Sequence, residues 1–241
     1  MSWSIIILAA GKGTRLQSSI PKPLVPINGI PLIQPILDLS LTLDFQERIV
    51  VISEFTQGIT HQFSSNQLTY IHSIPKGTAH AVLEALPQIT TEHVVIAQAD
   101  DSFLYTEETL SRIQSVHISK TADFTVGLAE IEESITYRAG IWDEETHELK
   151  GIKEEKISHP GDRVVCGLYA GRTEWLQKNF PNIPKTPSSG EFGIPTGFLQ
   201  GIEHGDHILG CPLTSQEWMG VNTPEELEQA TRKVDVSRKK R

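Results

Sequence analysis

The strongest constraint in the chain is WSIIILAA, residues 3–10, an apolar and β-branched run that stops at Gly11-Lys12-Gly13-Thr14-Arg15. A run of strand length with no polar alternation has no face to offer water, so it must be covered on both sides. The glycines then force a turn. A strand of this kind belongs to a mainly parallel sheet with helices on either face, and its turn lies where such sheets collect ligands, beyond the strand's carboxyl end.

The rest of the sequence keeps to that plan. PLIQPILDLSLTL reads as a helix, RIVVIS and LTYIH as strands, GTAHAVLEALPQI as a helix and HVVIAQAD as a second fully buried strand. In TEETLSRIQSVHI, Thr106 stands at a helix cap with Glu107 and Glu108 in the first turn. Strands DFTVGLAEI, LKGIKEE and VVCGLYAG follow, then a helix around TEWLQKNF, another within EFGIPTGFLQGIEHG, a strand HILGCPL and a capped helix TPEELEQATRK. The predicted fold is α/β, a three-layer sandwich around a Rossmann-like, mainly parallel sheet. PNIPKTPSSG, residues 181–190, reads as a long mobile loop.

With 241 residues and 38% hydrophobic composition, one large domain is expected over 1–231, followed by a basic tail over 232–241 expected to be disordered. Net charge is -9, yet the last ten residues carry six basic and one acidic side chain, leaving the body at -14. So acidic a body repels a nucleic-acid backbone, and a small anionic substrate needs a local cationic site. No run approaches the length of a membrane span and no secretory signal opens the chain, so a soluble, cytoplasmic protein is expected. Cys166 and Cys211 are far apart and without ligand neighbours, which suggests neither a disulfide framework nor a zinc site.

The opening turn supplies such a cationic site. Gly11 and Gly13 let backbone N–H groups approach a polyphosphate closely, and Arg15 and Lys22 bring long cations to it. A Walker loop does not fit, because Gly11-Lys12-Gly13-Thr14 lacks the four-residue spacer. A dinucleotide fingerprint fits poorly too, since Leu16 stands where its third glycine belongs.

The whole string fits a third pattern: Leu8-Ala9-Ala10-Gly11-x-Gly13-Thr14-Arg15-Leu16, a spacer, Pro21-Lys22-Pro23-Leu24, then Gly29 to Ile33. It resembles the signature of the sugar-phosphate nucleotidyltransferases, within the MobA-like NTP transferase superfamily. Gly77-Thr78 resembles that family's second nucleotide-contacting turn, Ala99-Asp100 its metal-binding strand end, and Val221-Asn222 the late pair whose asparagine completes the metal site. By these landmarks the chain lies nearest to the uridylyltransferase domain of the bifunctional N-acetylglucosamine-1-phosphate enzymes.

The resemblance implies transfer of a nucleotidyl group from a nucleoside triphosphate to a sugar 1-phosphate, with pyrophosphate leaving. It implies nucleotide contacts at Leu8, Ala9, Ala10, Gly11, Gly13, Thr14, Gly77 and Thr78, and catalysis by Arg15 and Lys22. It implies Mg2+ on Asp100 and Asn222, with Asp101 a further candidate, and acceptor contacts at Gly140 and Glu154. Enzymes of this kind often associate, which leaves a homo-oligomer open. Two departures bear on substrate: Pro75 replaces a uracil-reading glutamine, and Val165-Cys166-Gly167 replaces an Asn-Thr-Gly of the sugar strand. Cytidylyl transfer to phosphocholine or a similar phosphate is therefore one alternative, and a nucleotide-binding module without turnover is another.

Overall fold

The computed structural model describes residues 1–187 and 189–239, with side chains up to residue 234. The first strand, β1 (Trp3–Leu8), is buried at all six positions. After the glycine turn come short 3₁₀ turns at Thr14–Leu16 and Lys22–Leu24, a small hairpin of β2 (Pro26–Ile27) and β3 (Ile30–Pro31), and helix α1 (Gln34–Thr42). The chain continues through β4 (Arg48–Ile52), α2 (Gly58–Gln62), β5 (Thr69–His72), α3 (Thr78–Ala85), β6 (His93–Gln98), α4 (Glu107–Ser119) and β7 (Phe124–Glu130). The second half adds a small pair, β8 (Gly140–Trp142) and β9 (Leu149–Ile152), then the long β10 (Arg163–Arg172), α5 (Thr173–Asn179), α6 (Ile194–Glu203), β11 (Ile208–Leu213) and α7 (Pro224–Lys239).

Seven strands form one sheet in the order β11-β7-β10-β6-β1-β4-β5. The pairings β5 with β4, β4 with β1, β1 with β6 and β7 with β11 are parallel, while β10 runs antiparallel to both β6 and β7. Side chains of β1 alternate between two cores, as a strand's period of two requires. Trp3, Ile5 and Ile7 pack with Ile36 and Leu37 of α1, Ile59 of α2 and Leu110 and Ile113 of α4. Ile6 and Leu8 pack on the other face with Ala79 and Val82 of α3, Leu176 of α5 and Phe198 of α6. The three-layer α/β sandwich is thus observed.

The Thr106 cap is present: its hydroxyl accepts from Thr109 N at 3.3 Å, opening α4. Thr223 and Glu226 form a reciprocal capping box at α7, with Glu226 N to Thr223 Oγ1 and Thr223 N to Glu226 Oε2 both 3.2 Å. Two expected segments can be set beside the structure. The segment 232–241 is not a detached tail as far as it is described: α7 continues through Lys239, Val234 is buried with Leu16, Val25 and Ile27, and Lys233 donates to the carbonyls of Ser215 and Trp218. Residues 240 and 241 lie outside the described residues. The described residues of 181–190 lack regular structure after a 3₁₀ turn at Phe180–Asn182, and the chain just beyond is fastened, with Phe192 N on Lys76 O at 2.8 Å and Ala79 N on Phe192 O at 2.9 Å.

Candidate active site

Strand β1 has β4 on one side and β6 on the other, so the chain diverges at its carboxyl end. Such a divergence opens a crevice. Two cavities occupy it. One, about 580 Å³, is lined by Leu8, Ala9, Ala10, Gly11, Lys12, Gly13, Thr14, Arg15 and Lys22, and across from them by Gly77, Thr78, Ser189 and Glu191. The other, about 1130 Å³, is lined by Tyr137, Arg138, Cys166, Gly167, Tyr169 and residues from 184–204. Arg15, Gln98, Asp100 and Asn222 line both, so the cavities meet at these side chains.

Backbone shape explains two glycines of the site. Gly13 adopts φ +64°, and a Cβ there would lie 2.6 Å from Lys22 Cβ, so only glycine lets the lysine stem pass this close. Gly77 has φ +121° with the Phe192 carbonyl 2.4 Å from the position of a Cβ. The Thr78 hydroxyl accepts from Ile194 N at 3.0 Å. Those contacts hold Phe192 and Ile194 against the start of α3, and Ser189 and Glu191, just before them in the chain, line the first cavity.

At the junction Lys22 is buried, and its Nζ donates to Asp100 Oδ2 and, at 2.9 Å, to Asn222 Oδ1. Arg15 Nη2 donates to the same Asn222 oxygen at 2.8 Å. Two cations that can only donate face one end of the amide, so that end is its oxygen. The amide nitrogen points the other way and donates to the Tyr137 hydroxyl. Tyr137 is held edge-on to Trp218, ring centroids 5.1 Å apart. Gly220 makes room for it, because a Cβ there would fall 2.0 Å from the Tyr137 oxygen. Glu226 accepts from the backbone N–H of Asn222, tying the residue to the first turn of α7.

Asp101 is buried behind this group and accepts from Gly167 N at 2.7 Å. Burial, aided by the neighbouring charge of Asp100, pushes its carboxyl up to about 7 despite the opposing pull of Lys22. Burial also raises the Tyr137 phenol and the Cys166 thiol, so both stay neutral over the ordinary pH range.

The donor set can be weighed against a divalent ion. Asp100 Oδ2 and Asn222 Oδ1 converge on one ammonium, so the two oxygens already share a cationic centre. One carboxylate and one amide carbonyl are hard donors that suit an ion completing its shell with phosphate oxygens and water. Among the described residues no group of three His, Cys, Asp or Glu forms a self-sufficient metal cage. The pair therefore fits a metal that arrives with a phosphate ligand.

Of the residues singled out from sequence, Arg15, Lys22, Asp100 and Asn222 come together, and the eight nucleotide-loop positions line the adjoining cavity. Gly140 and Glu154 do not join them. Gly140 is buried in β8 against Leu128 and Leu149, and Glu154 is exposed after β9; neither lines the larger cavity, whose wall residues nearest to them in sequence are Arg138 and Ile152. Sequence reasoning misses Tyr137 and Glu226. The spacing of Thr223 and Glu226 is a capping-box signal that points to the latter, whereas nothing local marks Tyr137, 85 positions from its partner.

No helix among the described residues is long and apolar enough to cross a membrane. The chain is 29% identical over 237 residues to the bifunctional protein GlmU of Alkaliphilus metalliredigens, covering 95% of this chain and 51% of that one. It is 26% identical over 244 residues to the protein of the same name in Desulfitobacterium hafniense, covering 99% and 52%, and 27% identical over 231 residues to that of Bacillus subtilis, covering 93% and 50%. The chain spans about half the length of these curated relatives. A family model described as the MobA-like NTP transferase domain matches residues 5–150, which contain the glycine turn, Arg15, Lys22, the Gly77-Thr78 turn and Asp100. With that match over more than half its length, and with its crevice built around the same turn and cations, the chain belongs to the MobA-like NTP transferase domain family.

Proposed function

We propose that the protein is a nucleotidyltransferase that joins a nucleoside triphosphate to a sugar 1-phosphate, giving a nucleotide-sugar and pyrophosphate. The observation that carries this reading is the junction of two cavities at Arg15, Asp100 and Asn222, with Lys22 of the smaller cavity bonded to the last two. A glycine-lined cavity for the donor and a second for the acceptor would meet where one anion must attack another. The main obstacle to that reaction is bringing like charges together, and fixed cations remove it.

In this reading the triphosphate lies along the glycine turn, its terminal phosphates at Arg15 and its α-phosphate at Lys22. The acceptor's phosphate enters from the larger cavity, opposite the leaving pyrophosphate, and its oxygen attacks the α-phosphorus in line. Asp100 and Asn222 would hold Mg2+, which neutralises phosphate oxygens and fixes their orientation. Lys22 then follows the charge that builds on the transferring group.

A second reading is transfer to phosphocholine or a like amino-alcohol phosphate. The larger cavity favours it with two tyrosines, Tyr137 and Tyr169, and with Glu203 and Glu226, which together suit a cationic head group. Pyrophosphate release measured for four nucleoside triphosphates against hexose 1-phosphates and phosphocholine separates the two. Turnover with a hexose 1-phosphate supports the first reading and turnover with phosphocholine alone the second. Nucleotide binding with no release for any acceptor makes the protein a binding module.

A further inference from the structure

The cavity proposed for the triphosphate has two unlike ends. Arg15 and Lys22 are held on Asn222 in its wall, whereas Gly77, which lines it with Ile74 and Pro75, packs on Phe192 next to Glu191. A nucleotide whose phosphates lie among the cations must put its base at the second end, where discrimination between bases depends on polar groups still free to bond.

Few such groups remain. Pro75 has neither a backbone N–H nor a polar side chain. The Ser73 hydroxyl is shared between Ile74 O at 3.3 Å and His80 Nδ1 at 3.4 Å. Thr78 Oγ1 accepts from Ile194 N at 3.0 Å, and Ser189 Oγ from Glu191 N at 3.3 Å. The Glu191 carboxylate makes no hydrogen bond or ion pair with a described residue, although Phe192 beside it is clamped onto Lys76 and Ala79. Its side chain is therefore unspent while its backbone is fixed.

We infer that Glu191 reads the base and selects for an edge that carries N–H donors. This rests on the function proposed above, in that it places a nucleoside triphosphate in the same cavity. A carboxylate only accepts hydrogen bonds. Guanine offers two neighbouring donors, N1–H and the N2 amine, to the two carboxylate oxygens; cytosine offers one amine; uracil flanks its single N–H with two carbonyl oxygens that the carboxylate repels. The order of preference is GTP, then CTP, then UTP. A bidentate match against a repelled edge is a difference of about tenfold or more in affinity.

The test is equilibrium binding of ATP, CTP, GTP and UTP to the full chain in the presence of Mg2+, repeated with Glu191→Gln. Glu191 is exposed, so the variant is expected to fold, and the glutamine amide can donate to a uracil carbonyl. GTP is expected to bind at least about tenfold more tightly than UTP in the native chain, with that ratio collapsing in the variant. A native preference for UTP overturns the base assignment and leaves nucleotidyl transfer standing. A ratio unchanged by Glu191→Gln, with all four nucleotides weakened alike, also overturns it and puts the carboxylate on the ribose hydroxyls. Failure of all four to bind overturns both the base assignment and the proposed function.

Discussion

Asn222 is the residue on which most of the site's bonds converge, and its amide is useful to a cation only with the oxygen turned inward. Tyr137 enforces that orientation by accepting from the amide nitrogen. A group that orients a metal ligand is typically worth ten- to a hundredfold in metal affinity. Tyr137→Phe keeps the ring against Trp218 and removes the acceptor, so the Mg2+ concentration needed for half-maximal pyrophosphate release is expected to rise about tenfold, with turnover at saturating Mg2+ changed much less. An unchanged metal requirement would leave Tyr137 as packing alone. Residues of this kind explain where the sequence stops being legible. Arg15, Lys22, Asp100 and Asn222 sit in contiguous strings whose spacing carries chemical meaning, and the fold brings all four together. Tyr137 has meaning only through a partner on another element. Gly140 and Glu154 show the converse: each is a matching letter in a stretch without a matching string, and neither reaches the cavity wall.

Among the elements, the faces of β1 and β6 decide most of the fold, and their unbroken apolar runs announce them. WSIIIL and HVVIAQ need cover on both sides, and the helices around them follow from periodicity. The β2–β3 pair and β8 are not legible in the sequence, since strands of two or three residues carry too few positions for a period to register. On the buried face of α4, His117 lies between Trp3, His93 and Thr125, with Nδ1 bonded to Thr125 Oγ1 at 3.0 Å and Nε2 without a partner among the described residues. Burial, reinforced by His93 and Arg172, pushes its pKa down to about 3. Between that value and the ordinary 6.5 the unfolded chain binds a proton that the folded chain excludes, so stability rises with pH across the window and is lost as pH falls through it. Denaturant unfolding at pH 7 and pH 5 is expected to show about 2 kcal/mol of loss from this group, absent in His117→Gln. An equal loss in the variant would assign the acid sensitivity elsewhere.

At the scale of the whole molecule, the last helix closes the site from behind. Ala230 and Val234 of α7 pack on Leu16, Val25, Ile27 and Leu32, so this helix is fastened to the segment that carries Arg15 and Lys22. Composition suggests a solvated tail because it counts charges without their faces; Val234 turns inward on the same helix that leaves Arg232 exposed. Deleting residues 232–241 is expected to cost about 1.5–3 kcal/mol, the worth of one buried valine, in thermal or denaturant unfolding. A free tail would give no change. The same closure sets Asn222 over the carboxyl end of β6, across from the glycine turn. Early and late segments of the chain thereby meet around one cationic centre.

The proposed reaction rests on that centre, where Asp100 is the carboxylate paired with Lys22. The most direct measurement is steady-state pyrophosphate release by the native chain and by Asp100→Ala, with Mg2+ and the best donor and acceptor pair. Loss of the group that pairs Lys22 and completes the cation's oxygens is expected to lower turnover about 100- to 1000-fold while nucleotide binding persists. Turnover at the native rate in Asp100→Ala would contradict the account.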